Sequence, residues 1–299
     1  MTNAVYDQQL ERIKTGSGFI AALDQSGGST PKALENYGVS QSDYNDDEGM
    51  FDLVHEMRAR IMTCDCFDNE RVLGAILFED TMDREVNGKP TANYLWEDKN
   101  IVPFLKVDKG LAERMNGVQV MRPIPSLNLL LDKAKNYPVF GTKMRSVIYE
   151  PSVDGIELVV QQQFDVAKQI LSQGFMPIVE PEVDINSEKK HDCEVILKTA
   201  ILTNLDSLDD DHQVMLKLTL PDEAGFYQDL IDHPKVVKVV ALSGGYSRTD
   251  ACEKLKQNPG MIASFSRAFT EGLSKQQSDK EFADTINTSI DEIYSASKV

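Results

Sequence analysis

No apolar run in this 299-residue chain approaches the roughly 18 residues that a membrane-spanning helix needs, so nothing in it reads as a membrane span. There is no basic tract and no aromatic-plus-basic stripe. With 31 basic against 48 acidic residues the net charge is −17, which repels nucleic acid and anionic membranes and sets both aside as partners. Cysteine is scarce: Cys64, Cys66, Cys193 and Cys252 include no Cys-x-x-Cys pair of the redox or zinc kind, and Cys64-x-Cys66 reads as a chance pair at a helix end. Histidine is equally scarce. His55, His191, His212 and His233 show no ligand spacing, so no metal site is expected. The start, Met1 to Asp7, lacks the basic-then-apolar layout of a signal peptide. These absences give the expectation of a cytoplasmic protein with reduced thiols.

What is present is a repeat of short apolar runs, each followed by a longer amphipathic stretch. The runs cover 19–23, 72–78, 101–106, 139–145, 175–182, 214–220, 236–242 and 261–265. Helical patterns cover 50–62, 125–137, 156–172, 188–208, 222–232 and 248–257, and a last one covers 279–295. Alternating strand and helix signals argue for a parallel sheet, and eight repeats in about 300 residues argue for a closed (β/α)8 TIM barrel. No Ser/Gly-rich linker and no shift in composition divides the chain, so one catalytic domain over 1–299 is expected. A doubly wound open sheet is the alternative. The segment 83–100, with Gly88, Pro90 and the single tryptophan Trp96, reads as a structured excursion after the second run.

The sixth run, Val214-Met-Leu-Lys-Leu-Thr-Leu220, carries a lysine where a lysine is out of place. A buried ammonium loses hydration, which favours the neutral amine, and a neutral amine can attack a carbonyl to form a Schiff base. The plainer reading is a lysine that lines a barrel and pairs with a carboxylate. Strand parity speaks to its direction. Val214, Leu216 and Leu218 share the parity of a helix-facing surface, so Met215, Lys217 and Thr219 face the barrel axis. The same rule turns Glu180 and Glu182 inward in the fifth run, and gives Lys143 and Arg145 one parity in the fourth. The third run ends at Lys106 and the first at Asp24. All seven stand at or near the C-terminal ends of their strands, where barrel enzymes place their chemistry. Lys238, early in the seventh run, stands at the other end and is excluded as structural. Cations gathered on a protein of −17 charge point to an anionic substrate. The alternative is a salt-bridge network that merely fills the barrel.

Two loops narrow the substrate class. Leu242-Ser243-Gly244-Gly245 follows the seventh run and Ser264-Phe-Ser-Arg267 the eighth, where many barrels hold phosphate. Glycine lets backbone N–H groups approach an anion, serine adds a donor, and the arginine fork grips two oxygens. The first loop, Asp24-Gln-Ser26-Gly-Gly-Ser29-Thr-Pro31, has a similar composition, and a second phosphate there suits a doubly phosphorylated sugar. Each loop taken alone is equally a plain turn.

Taken together, 18–29, 106–110, 141–145, 177–182, 215–217, 242–245 and 264–267 resemble a class I (Schiff-base) fructose-1,6-bisphosphate aldolase of the bacterial type, over nearly the whole chain. The resemblance implies retro-aldol cleavage of fructose 1,6-bisphosphate to dihydroxyacetone phosphate and glyceraldehyde 3-phosphate, with no metal and no other cofactor. It implies Lys217 as nucleophile, Glu180 as proton shuttle, Lys143 as the neighbouring cation, Asp24 as acceptor of the C4 hydroxyl proton, and Glu182 as the group keeping that network in register. It further implies Ser243, Gly244, Gly245 and Arg267 around the C1 phosphate, and Ser26, Ser29 and Lys106, with Arg145 near, around the other. The sequence departs from the family in two places. Gln25 stands where many relatives have glutamate, and Tyr294 is not the terminal tyrosine of the animal tail, so the group that protonates the enamine is left open. The rival readings are a Schiff-base aldolase for another sugar phosphate such as tagatose 1,6-bisphosphate, a metal-dependent aldolase and a silent barrel acting as a scaffold. A homo-oligomer is compatible with the chain but not implied by it.

Overall fold

A computed structural model describes residues 3–298. Eight parallel strands follow one another around a barrel: β1 (Phe19–Leu23), β2 (Val72–Leu77), β3 (Val102–Lys106), β4 (Gly141–Ile148), β5 (Met176–Val183), β6 (Val214–Thr219), β7 (Val236–Leu242) and β8 (Met261–Ala263). Each neighbouring pair in that order is hydrogen-bonded. The seam between β1 and β8 is held differently: one backbone bond crosses it among the described residues, from Ala22 N–H to the Phe265 carbonyl at 3.3 Å. The barrel expected from the eight repeats is therefore present and closes at that seam.

Alternation along the strands sorts the apolar residues into two cores, as a barrel requires. Val214, Leu216 and Leu218 join the core between strands and helices, while Met215 joins the barrel interior with Met176, Ile178 and Phe104. The parity read for β5 and β6 thus holds. The helices carry capping residues where the chain enters them. Asp46 accepts from Gly49 N–H at the start of Asp47–Thr63, and Ser152 from Gly155 N–H at the start of Val153–Ser172. Ser278 and Glu281 form a capping box on Asp279–Ala296.

A first helix, α1 (Asn3–Thr15), has no counterpart in the sequence reading. Its Tyr6, Leu10 and Ile13 lie on the bottom of the barrel interior, with the Tyr6 ring 4.9 Å from that of Phe140. The stripe is narrow, three apolar positions on a polar helix, and easily passed over. Lys238 sits at this closed end, where its ammonium donates to the Lys14 carbonyl, as its exclusion from the site requires. The segment 83–100 folds as a small hairpin and two short helical turns, and Trp96 packs against the barrel interior.

The helix expected over 222–232 shrinks to Gln228–Ile231. Gly225 adopts φ +71° and gives its N–H to Asn258, and Asp222 accepts from Lys190, so the first half is a pinned loop. Strand β4 runs three residues further than the apolar run, because Val118 and Gln119 pair antiparallel with Ile148 and Val147.

Candidate active site

With α1 across the bottom, the barrel opens at the C-terminal ends of its strands into a cavity of about 500 Å³. The register explains who meets there. Lys106 on β3 lies opposite Lys143 on β4, and Arg145 opposite Glu180 on β5. Ile178 pairs with Met215, which brings Glu180 and Lys217, each two residues on, to the same height.

Four buried side chains form one ionic chain across the cavity floor. Asp24 Oδ2 lies 3.0 Å from Lys143 Nζ, Lys143 Nζ lies 2.5 Å from Glu180 Oε2, and Glu180 Oε1 lies 3.2 Å from Lys217 Nζ. Each is at most 7% exposed. Burial pushes the Asp24 carboxyl up, but the ammonium groups of Lys143, Lys217 and Lys106 outweigh it and hold the group well below the usual carboxylate range. Burial likewise pushes Lys143 down, and Asp24 with Glu180 more than restores it, to well above an ordinary lysine. Asp24 is thus a persistent anion and Lys143 a persistent cation beside the Lys217–Glu180 pair.

The backbone beneath this chain is tied by side chains where the ladder between β5 and β6 stops, after Val179 and Leu216. Pro181 has no N–H to offer there. Glu180 N–H goes to Gln163 Oε1 at 2.8 Å, and Val183 N–H to Thr219 Oγ1 at 2.9 Å. The strands that carry the lysine and the glutamate therefore diverge, yet stay fixed.

Around the rim, Arg145 Nε meets Glu182 Oε2 at 2.5 Å, and burial's pull on the guanidinium is overcome by Glu182 and Glu180, so its pKa is raised. The Lys106 ammonium donates to Asp108 Oδ1 at 2.7 Å and to its carbonyl at 3.0 Å. Ser29 Oγ donates to the Ser26 carbonyl and accepts the Ser26 N–H, which knits the first loop. Ser243 and Gly244 line the cavity, with Gly244 at φ +61°. Arg267 is exposed and has no carboxylate partner among the described residues, which leaves its fork available. Six cations (Lys32, Lys106, Lys143, Arg145, Lys217, Arg267) and four carboxylates (Asp24, Asp108, Glu180, Glu182) line the cavity, an excess of two positive charges on a chain of −17.

Every residue expected at the site lines this cavity except Gly245. Gly245 adopts φ +126°, a backbone conformation that residues with a side chain rarely take, so glycine is needed there for the turn beside Arg267. The sequence reading named Ser264 and Ser266 only as part of the loop after the eighth run and gave no role to Asp108 or Lys32; all four line the wall. Asp108 carried a signal, two positions beyond Lys106 and of the same parity. Among the described residues, no three His, Cys, Asp or Glu side chains gather as metal ligands. No helix among them is long and apolar enough to cross a membrane.

Comparison with known proteins gives the family. The family described as glycolytic, fructose-bisphosphate aldolase class-I, matches residues 7–223. A fructose-bisphosphate aldolase class 1 of Synechocystis sp. is 56% identical over 297 residues, 99% of each chain. Among solved structures, a fructose-bisphosphate aldolase from Plasmodium falciparum, in complex with TRAP and a small-molecule inhibitor, superposes with TM-score 0.75 at 19% identity. That match covers 99% of this chain and 96% of the other, and supports the barrel fold. A Corynebacterium glutamicum protein superposes with TM-score 0.55 at 11% identity, over 97% and 92% of the two chains. The chain belongs to the class I fructose-bisphosphate aldolase family.

Proposed function

We propose that the cavity cleaves and forms fructose 1,6-bisphosphate through an imine on Lys217, as one cytoplasmic catalytic domain that needs no metal. The observation that carries the reading is Glu180 at 3.2 Å from Lys217 on the floor of the open barrel mouth. A proton passing from Lys217 to Glu180 frees the amine for attack on the ketose carbonyl, and Glu180 returns it to the departing hydroxyl as the carbinolamine loses water. Asp24, held ionised, takes the proton of the C4 hydroxyl as the C3–C4 bond breaks. The electron pair of that bond moves into the iminium and leaves an enamine. Reprotonation and hydrolysis release dihydroxyacetone phosphate and regenerate Lys217. Lys143, between the two carboxylates, keeps Asp24 and Glu180 from repelling each other and opposes positive charge on Lys217.

Ser243, Gly244 and Arg267 face one phosphate, with Gly245 completing the turn beside them. Ser26, Ser29, Lys106 and Arg145 lie toward the other. Because Lys106 and Arg145 are paired with Asp108 and Glu182, they serve that phosphate by leaning between carboxylate and ligand, whereas Arg267 engages its phosphate without breaking an ion pair. The tagatose bisphosphate reading gains nothing from the relatives, whose names specify the fructose sugar.

Incubation with dihydroxyacetone phosphate and borohydride tests the reading. The expected result is a reduced adduct on Lys217, unchanged by chelator. Adduct elsewhere, or activity abolished by chelator, overturns it.

The loop after β7 supports a narrower expectation. A Cβ on Gly244 would need φ near +61° and would stand 2.7 Å from Ile185 Cγ2. Left-handed backbone costs a non-glycine residue about 1–2 kcal/mol, so Gly244→Ala should raise KM for the bisphosphate by roughly fivefold or more. Trapping of phosphate-free dihydroxyacetone should stay as in the wild type. An unchanged KM would remove Gly244 from the phosphate wall.

A further inference from the structure

The β1–β8 seam divides the two halves of the site. Asp24 lies just beyond β1 and Arg267 just beyond β8, and a single backbone bond joins the strands there. Beneath the β1 loop lies Arg58, on the helix Asp47–Thr63, fully buried and with no carboxylate within ion-pair distance among the described residues. Burying a guanidinium without such a partner is costly, and an apolar side chain would fill the space more favourably. Burial pushes its pKa down to about 10, partly offset by Asp24 and Asp80, so it remains a cation at neutral pH.

Its Nη donors run to the short helix Glu79–Asp83 and to the β1 loop. Nη1 donates to Thr81 Oγ1 at 2.6 Å, and Nη2 to the Gln25 carbonyl at 2.5 Å and to Gln25 Oε1 at 3.2 Å. A guanidinium only donates, so the Gln25 amide has one permitted orientation: its oxygen faces Arg58 and its nitrogen faces the far side of the seam. There Nε2 donates to Ser266 Oγ at 2.6 Å. Ser266 lines the cavity and immediately precedes Arg267.

We infer that Arg58 and Gln25 are positioning residues that latch the β1 loop to the β8 loop, setting the spacing between Asp24 and the phosphate grip of Ser266 and Arg267. The latch crosses the seam one residue beyond Asp24 and one before Arg267, where the sheet itself supplies little. This inference rests on the Schiff-base reading above.

Gln25→Leu, Arg58→Met and the double variant test it, with thermal melts confirming folding and with wild type trapped on dihydroxyacetone as reference. Gln25→Leu keeps the volume but not the bonds, and should raise KM for fructose 1,6-bisphosphate by about tenfold, the effect of one lost hydrogen bond at the site. Adduct formation with phosphate-free dihydroxyacetone should fall far less. Gln25→Glu, whose oxygens accept from both Arg58 and Ser266, should recover most of the loss. If Arg58 acts through Gln25, the double variant is no worse than Arg58→Met alone. A wild-type KM in Gln25→Leu, or multiplying effects in the double variant, overturns the latch while leaving the imine intact. Should Arg58→Met fail to fold, Gln25→Leu and Gln25→Glu decide the matter alone. A wild type that gives no adduct overturns the Schiff-base reading and this inference with it.

Discussion

Lys217→Met should abolish borohydride trapping of dihydroxyacetone phosphate and lower kcat on the order of 10⁵-fold or more, the scale on which removal of a covalent nucleophile is felt. Methionine matches the length and removes the charge, so the wall around position 217 keeps its packing with Met215 and Leu218 as neighbours in the strand. The loss also leaves the Glu180 carboxylate with Lys143 as its cation, at 2.5 Å, so the cavity floor stays paired. The variant should therefore fold, and it should still bind the bisphosphate, since Arg267, Ser243 and the first loop are untouched. That combination separates nucleophile from scaffold. A lysine that only balanced barrel charge would leave residual cleavage within about a hundredfold of wild type, the scale of losing one positioned charge. Measuring kcat together with adduct mass and bisphosphate affinity distinguishes the two, and residual turnover at that level would return Lys217 to a structural role.

Legibility divided along physical lines. Strands β1 to β8 could be read because a parallel sheet buried on both faces demands unbroken apolar runs, and a charge within such a run, as at Lys217 or Glu180, stands out against them. Parity then fixed which way those charges point, and both cores agree with it. The first helix escaped because its apolar stripe is three residues wide. The 222–232 segment misled because its spacing is helical while Gly225 and the Lys190–Asp222 pair hold it as a loop. The ionic partners of Lys106 and Arg145 became visible with the fold, because parity gives the face a side chain points to but not which charges on that face come within reach. Arg58 was hidden for the same reason. On a helix it reads as one more surface arginine, and only the tertiary fold shows that it lies beneath the β1 loop with no access to water.

Asp24→Asn should split the two halves of the reaction. Schiff-base formation with dihydroxyacetone phosphate needs Lys217 and Glu180, which lie on β6 and β5, and should survive with the adduct still on Lys217. Cleavage of the C3–C4 bond needs a base for the C4 hydroxyl, and the neutral amide supplies none, so kcat for fructose 1,6-bisphosphate should fall by roughly 10²–10⁴-fold. The sign of the pKa shift sharpens the test. Asp24 is depressed in the folded chain by its lysine neighbours, so its contribution to stability is present above the ordinary carboxylate pKa and is lost only as the pH falls below that range. At neutral pH the wild type therefore carries a stabilising anion that the variant lacks, and Lys143 keeps Glu180 alone. The variant should melt at a lower temperature than wild type at pH 7, and the gap should narrow as the pH drops below about 4, where the unfolded wild-type side chain takes up its proton. A melting gap that stayed constant down to pH 3 would mean that the Asp24–Lys143 pair at 3.0 Å contributes little to the fold. Trapping and cleavage falling together would mean that Asp24 supports imine formation instead, and the proton acceptor for the C4 hydroxyl would then lie among the other carboxylates that line the cavity, Glu180, Glu182 and Asp108.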